Sequence, residues 1–166
     1  MLPANLTPLE VLDMGIHGEA LAFRMYDALA KRVQVPTVQT RLAQLKKDEK
    51  DHRKTLRAHR KSLFPDDAVT VTEEEAERIF GTVDTTSIRD KDSLIQVLYG
   101  AIRVEEYGAY FYEKIQFRVP SPEARIFMDV LADEGRTHAS IIKQQIDALR
   151  ELEVTIDERG RAVEVY

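Results

Sequence analysis

Apolar residues recur at alternating steps of three and four in four long stretches of this chain, and each stretch predicts an amphipathic helix. The first stripe reads Leu9, Leu12, Ile16, Glu19, Phe23, Tyr26, Ala30 and Val33. The second follows Pro36 and reads Val38, Leu42, Leu45, Glu49, His52, Leu56, His59 and Leu63. The third begins near Asp92-Ser93 with Leu94, Leu98, Ala101, Glu105, Gly108, Tyr112, Ile115 and Val119. The fourth opens at Ser121-Pro122-Glu123 and runs Phe127, Leu131, Glu134, His138, Ile141, Gln145 and Leu149. Thr7-Pro8-Leu9-Glu10 has the signature of a capping box, with proline in the first turn.

A few residues join the first stretch to the second, and the third to the fourth, so each pair is expected to form an antiparallel hairpin. Between the pairs, Ser62 to Lys91 is long enough to run the length of a bundle, and Thr72-Glu73-Glu74-Glu75 predicts a short helix within it. The expected fold is all-α: two helical hairpins joined by a long crossover. One domain is expected over residues 1–152, with the crossover at 62–92. A tail over 153–166 has two short alternating runs around Glu158-Arg159-Gly160 and is expected to form a hairpin.

Composition narrows the chemistry. With 43% hydrophobic and 32% charged residues, and only 7 Gly and 6 Pro, the 166 residues read as one folded, helix-rich domain. No apolar run approaches the roughly 18 residues of a membrane span, and Met1 to Asn5 lack the basic start of a secretory leader, so a cytoplasmic location is expected. The net charge of −5 argues against nucleic acid. The densest basic stretch, Lys46 to Lys61, is interleaved with Asp48, Glu49 and Asp51 and reads as a solvated helix face. Cysteine is absent, which excludes disulfides, thiol catalysis and cysteine-ligated metal. Any metal must be held by histidine and carboxylate.

An internal repeat singles out the residues. A shift of 86 positions places Ile16 on Ile102, Glu19 on Glu105, Tyr26 on Tyr112, Val33 on Val119 and Pro36 on Pro122. Continuing without a gap, Leu45 falls on Leu131, Asp48 on Glu134 and His52 on His138. Any two amphipathic hairpins share apolar matches; a Glu, a Tyr, a His and a helix-starting Pro in one register are far harder to obtain by chance.

The polar members of the repeat sit on apolar stripes. An unpaired buried carboxylate is costly and normally gains a partner, a proton or a metal. Glu49 and His52 are three apart and project from one helix face. Several carboxylates at one depth of a bundle repel one another unless cations lie between them, which points to metal held by Glu19, Glu49, His52, Glu105 and His138. Such oxygen-rich ligation suits iron or manganese better than copper.

A Glu on the first helix, Glu-x-x-His on the second and a second such set in the other hairpin resemble the ferritin-like superfamily. The segments Glu19 to Tyr26 and Glu105 to Tyr112 are most similar to its rubrerythrin branch. The resemblance covers roughly residues 8 to 150. It implies a four-helix bundle with two bound metal ions, iron in that family, with manganese or zinc as alternatives. It further implies that Glu49 bridges the ions, that Glu19 and His52 complete one and Glu105 and His138 the other. Tyr26 and Tyr112 would lie beside the site and hydrogen-bond to the ligand carboxylates. The implied activity is peroxide reduction, Fe(II) oxidation, or both, with peroxide or oxygen as substrate. No cysteine-ligated rubredoxin-like module accompanies the bundle in these residues, so an external electron donor is expected; a homodimer is expected by analogy.

The pattern departs from the family in several places. Gly135 stands where the fourth helix would carry its bridging glutamate, and Gly108 stands where a further third-helix glutamate is usual. Glu134 is four residues before His138, a spacing that shares a face, but the repeat aligns it with Asp48, about 100° from the ligand direction. It is the weakest of the metal candidates. If the missing bridge limits metal uptake, Gly135→Glu should raise occupancy. Gly15, Gly18, Gly100, Gly108 and Gly135 all fall inside predicted helices, serving either close packing or an open pocket. His59 reads as a structural or interface residue and His17 as a surface one. Two rival functions remain: a non-catalytic binder that stores or transfers metal, and a scaffold whose site has degenerated.

Overall fold

The computed structural model describes residues 2–166. Four long helices, α1 (Pro8–Arg32), α2 (Pro36–Leu63), α4 (Lys91–Ile115) and α5 (Pro122–Arg150), account for most of the chain, and a short α3 (Glu73–Phe80) lies in the crossover. The chain is an all-α, ferritin-like bundle. Its starts are chemically marked. Thr7 accepts a hydrogen bond from Glu10 N and Glu10 accepts one from Thr7 N, both 3.1 Å; Thr72 with Glu75 and Asp90 with Ser93 do the same. Pro8, Pro36 and Pro122 each occupy a first turn, where the missing N–H costs nothing. α4 therefore begins at Lys91, just before Asp92-Ser93.

Helices α1 and α2 form one hairpin and α4 and α5 the other; α1 faces α4 and α2 faces α5, while α3 lies against α1 and α4. The buried stripe of α1 includes Val11, Leu12, Gly15, Gly18, Glu19, Ala22, Met25, Tyr26 and Leu29. Leu9, Ile16, Phe23 and Ala30 are only half-buried. A strict seven-residue spacing drifts off the face of a straight 3.6-residue helix, which moves these four to its edge.

The core is two apolar clusters stacked along the bundle. One holds Tyr26, Leu29, Leu42, Leu45, Leu94, Leu98 and Ile146; the other holds Leu12, Leu56, Phe111, Ile115, Met128 and Leu131. Each such side chain fully buried stabilises the fold by about 1.5–3 kcal/mol. Five carboxylate and histidine positions lie between the two clusters: Glu19 after Met14, Glu49 and His52 between Leu45 and Leu56, Glu105 before Phe111, and His138 between Ala132 and Ile142.

Three further ties matter. Buried Asp13 pairs with Arg60 and accepts 2.9 Å hydrogen bonds from the N–H and hydroxyl of Thr70, fastening the crossover to α1 and α2. His17, half-buried rather than on the surface, has Nε2 3.1 Å from Val71 O. The tail pairs β1 (Val154–Ile156) antiparallel to β2 (Ala162–Glu164), with Gly160 in the turn at φ +74°, a conformation other residues rarely adopt. Ala162 bridges to Val33, and Arg32 donates to the carbonyls of Gly160 (2.6 Å), Thr85 (2.8 Å) and Ile88 (3.0 Å). Among the described residues, no helix is long and apolar enough to cross a membrane.

Candidate metal centre

The layer between the two clusters brings five side chains together from four helices. Two groups have ligand atoms within 4.8 Å of one another: Glu19, Glu49 and His52, and Glu49, Glu105 and His138. Glu49 belongs to both. Its carboxylate lies 3.5 Å from His52 Nδ1 on one side and 2.9 Å from His138 Nδ1 on the other. His52 Nδ1 is also 3.5 Å from Glu19, and His138 Nδ1 3.2 Å from Glu105. The imidazoles stack with centroids 5.9 Å apart and planes 17° from parallel.

The tyrosines cross between hairpins. Tyr26 on α1 donates to Glu105 on α4, and Tyr112 on α4 donates to Glu19 on α1 at 2.8 Å. Tyr112 also reaches the carbonyl of Gly15 at 3.2 Å. A Cβ at Gly15 would approach the Tyr112 ring to 3.2 Å, so glycine there gives the hydroxyl its path to Glu19.

The outer nitrogens of both histidines also cross over. His138 Nε2 lies 3.1 Å from Asp48 on α2, and His52 Nε2 contacts Glu134 on α5. Glu134 is thus set against the far side of His52, outside both ligand groups, with its side chain 44% exposed. Asp48 takes the matching place at His138. The repeat held the signal for this exchange, because it pairs Asp48 with Glu134 and His52 with His138, yet pairing alone does not say that the contacts swap partners.

Set against one another alone, Glu49, the two imidazoles and the two tyrosines hold their protons more tightly than usual. Burial, reinforced by the charges of Glu19 and Glu105, pushes the Glu49 carboxyl well above the usual carboxylate range. Burial also opposes the charge on Glu19, but hydrogen bonding with Glu49, His52 and Tyr112 outweighs it and leaves that group lowered. Burial disfavours both imidazolium ions, yet Glu19 and Glu49 push His52 up to about 11, and Glu105 and Glu49 do the same for His138. Burial and the nearby carboxylates hold both tyrosines well above their ordinary range, keeping them as hydrogen donors.

This donor set fits a pair of divalent cations. It supplies three carboxylates and two imidazoles, each cation would meet oxygen and nitrogen atoms in one group, and a shared carboxylate would join them. Three protein residues per group leave room for a small molecule or water. A cavity of about 30 Å³, lined by Glu19, Glu49, His52, Glu105, His138 and Phe80 among others, opens on the layer. It holds no more than one or two water-sized molecules.

The glycines divide. A Cβ at Gly18 would fall within 2.5 Å of the Phe80 ring, and one at Gly100 within 3.0 Å of Val83. At Gly135 it would lie 3.2 Å from the Glu105 carbonyl and 3.3 Å from Ala109 Cβ, so glycine lets α5 approach the α4 backbone. A side chain introduced there requires α4 to give by a few tenths of an ångström, so Gly135→Glu tests both the register and the tolerance of this contact. At Gly108 nothing lies within 4 Å, and this residue lines the cavity. His59 packs against Phe127, with centroids 5.6 Å apart, away from the metal groups.

A helical bundle with carboxylate and histidine groups of this kind on facing helices defines the ferritin-like class. The model of the family described as Rubrerythrin matches residues 10–160, and the chain belongs to that family. A hypothetical protein from Pyrococcus furiosus has a similar solved structure, with a TM-score of 0.75 at 25% identity over 90% of this chain and 94% of that one. Among curated proteins, none matches this chain.

Proposed function

We propose that the protein binds two iron ions at these groups and reduces peroxide, with Fe(II) oxidation as the linked half of the reaction. The observation that carries the reading is the sharing of Glu49 between two ligand groups inside a buried layer. When bound, a pair of ferrous ions supplies the two electrons that, with two protons, convert H₂O₂ to two waters. The chain's own residues do the rest. Glu19 and His52 would hold one ion, Glu105 and His138 the other, and Glu49 would be shared between them. Tyr26 and Tyr112 fix the outer carboxylates, while Asp48 and Glu134 orient His138 and His52 and raise their basicity as ligands. Phe80, Val104 and Leu131 line the cavity beside these ligands and limit water at the centre. Manganese or zinc can occupy the same donors, but zinc supplies no electrons.

An external electron donor completes the cycle in this reading, and a homodimer and a cytoplasmic location belong to it as expectations. Exposed Phe117 and Ile126, 70% and 66% accessible, offer apolar surface for a second copy, and light scattering tests that assembly.

A second reading, a non-catalytic iron binder, is favoured by Gly135 and Gly108, which leave the centre with three carboxylates. Anaerobic Fe(II) titration followed by peroxide and a reductant separates the two. Two ions per chain and many turnovers support the enzyme. A single stoichiometric oxidation supports the binder, and no uptake leaves only a scaffold.

A further inference from the structure

The basic stretch of α2 splits into two parts. At one end Lys46 pairs with Asp27 at 2.8 Å and Lys47 with Asp51 at 2.7 Å, as a solvated face should. At the other end, Arg53, Arg57, Arg60 and Lys61 recur at steps of four, three and one, and with His17 of α1 they line a cavity of about 300 Å³. Its floor and rim are Ile16, Ala20, Pro65 and Val69, and it shares no lining residue with the metal centre.

Its charges are not balanced from within. Asp13 is the acidic residue of the cavity, and it is committed to Arg60 and Thr70. Arg24, a neighbouring charge, pairs with Glu73. Among the described residues Arg53, Arg57 and Lys61 enter no ion pair, and Arg53 Nε is buried with no hydrogen-bond partner. Arg53 also feels the like charges of Arg57 and Arg24. In a chain of net charge −5, cations kept this close, with a buried donor unused, lack a counter-charge that the protein does not itself provide.

From these observations we infer that the cavity between α1 and α2 binds a small phosphate-type oxyanion, free or as a monoester. Guanidinium groups present forked donors that match the oxygens of such an anion. Arg53 lines the cavity and carries a guanidinium that no carboxylate among the described residues pairs. Arg57 and Lys61, at the mouth, supply the remaining charge. The volume suits a compact ligand rather than a nucleic-acid duplex, which would need an extended basic surface.

Isothermal titration of the whole chain with inorganic phosphate and with glycerol 3-phosphate, at ionic strength fixed by potassium chloride, tests this. Saturable binding of one anion per chain is expected, and the tighter of the two probes identifies the form taken. Arg57→Gln, at an exposed position, should weaken binding about tenfold, the loss typical of a charge-assisted hydrogen bond, with helicity and metal content unchanged. Arg53→Gln should weaken it at least as much. The assignment is overturned if no saturable heat appears, if both variants bind like the parent, or if duplex DNA or phosphatidylglycerol vesicles bind more tightly than either probe.

Discussion

In the α1–α2 hairpin, position 49 carries the glutamate shared by both ligand groups; in the α4–α5 hairpin, the equivalent position 135 is a glycine pressed on the α4 backbone. Elsewhere the halves mirror each other closely: Glu19 and Glu105, Tyr26 and Tyr112, Asp48 and Glu134, His52 and His138 make reciprocal contacts. The difference shows how a duplicated hairpin can become asymmetric at one residue. One side contributes the carboxylate common to both groups, and the other gives up a side chain so that two helices can approach.

The sharpest way to break this comparison is Glu49→Gln. Because both groups use that carboxylate, occupancy at both should collapse together, measured as metal per chain by mass spectrometry. Loss of only one ion would show that the sharing is not real.

Next come the paired outer carboxylates. Asp48→Asn and Glu134→Gln should each lower affinity for one ion by about 10–100-fold. The effect should be larger for Asp48, whose side chain is 31% exposed against 44% for Glu134. Chelator competition resolving two affinities decides this, and equal loss at both ions would remove the one-to-one pairing.

Acidity offers a smaller, whole-centre test. After chelation, His52 and His138 titrate near 11 in the fold against 6.5 when unfolded. A raised folded pKa contributes stability that is complete below the unfolded value and is lost as pH rises toward the folded one. The raised Glu49 carboxyl acts with the same sign. The Tm of chelated protein should therefore fall between about pH 7 and pH 10, and metal-loaded protein, having given up these protons, should hold its Tm better. Parallel curves would contradict the charge assignment.

The smallest effects come from two glycines. Gly108→Ala restores the residue found at its repeat partner, Ala22, and meets open space, so it should stabilise by roughly 1 kcal/mol through helix propensity. Gly135→Ala gains the same propensity but overpacks against backbone, and overpacking costs about 1–3 kcal/mol, so its net effect should be a loss. Denaturant midpoints for both would show whether the two glycines differ in kind.

Much of this was legible in the sequence because it depends on local chemistry. Thr7 with Glu10, Thr72 with Glu75, and proline in three first turns mark helix starts wherever they occur. Glu19, Glu49, His52, Glu105 and His138 stand out as polar residues on apolar stripes. What stayed hidden depends on distances between helices. Periodicity cannot say that a Cβ at Gly135 would press on a carbonyl while one at Gly108 would face space, nor that Glu134 contacts His52 Nε2 outside both ligand groups. The sequence reads His17 as a surface residue and leaves Asp13 unmarked because their partners, Val71 and Thr70, lie in a segment without periodic pattern.

Arg32 ends α1 with its guanidinium spread over three carbonyls drawn from segments more than seventy residues apart in sequence, Thr85 and Ile88 on one hand and Gly160 on the other. Neither segment can peel away without stripping hydrogen bonds from the same cation. Amide exchange in the two should therefore report a single cooperative opening, with the last strand of the chain as well anchored as the middle of it.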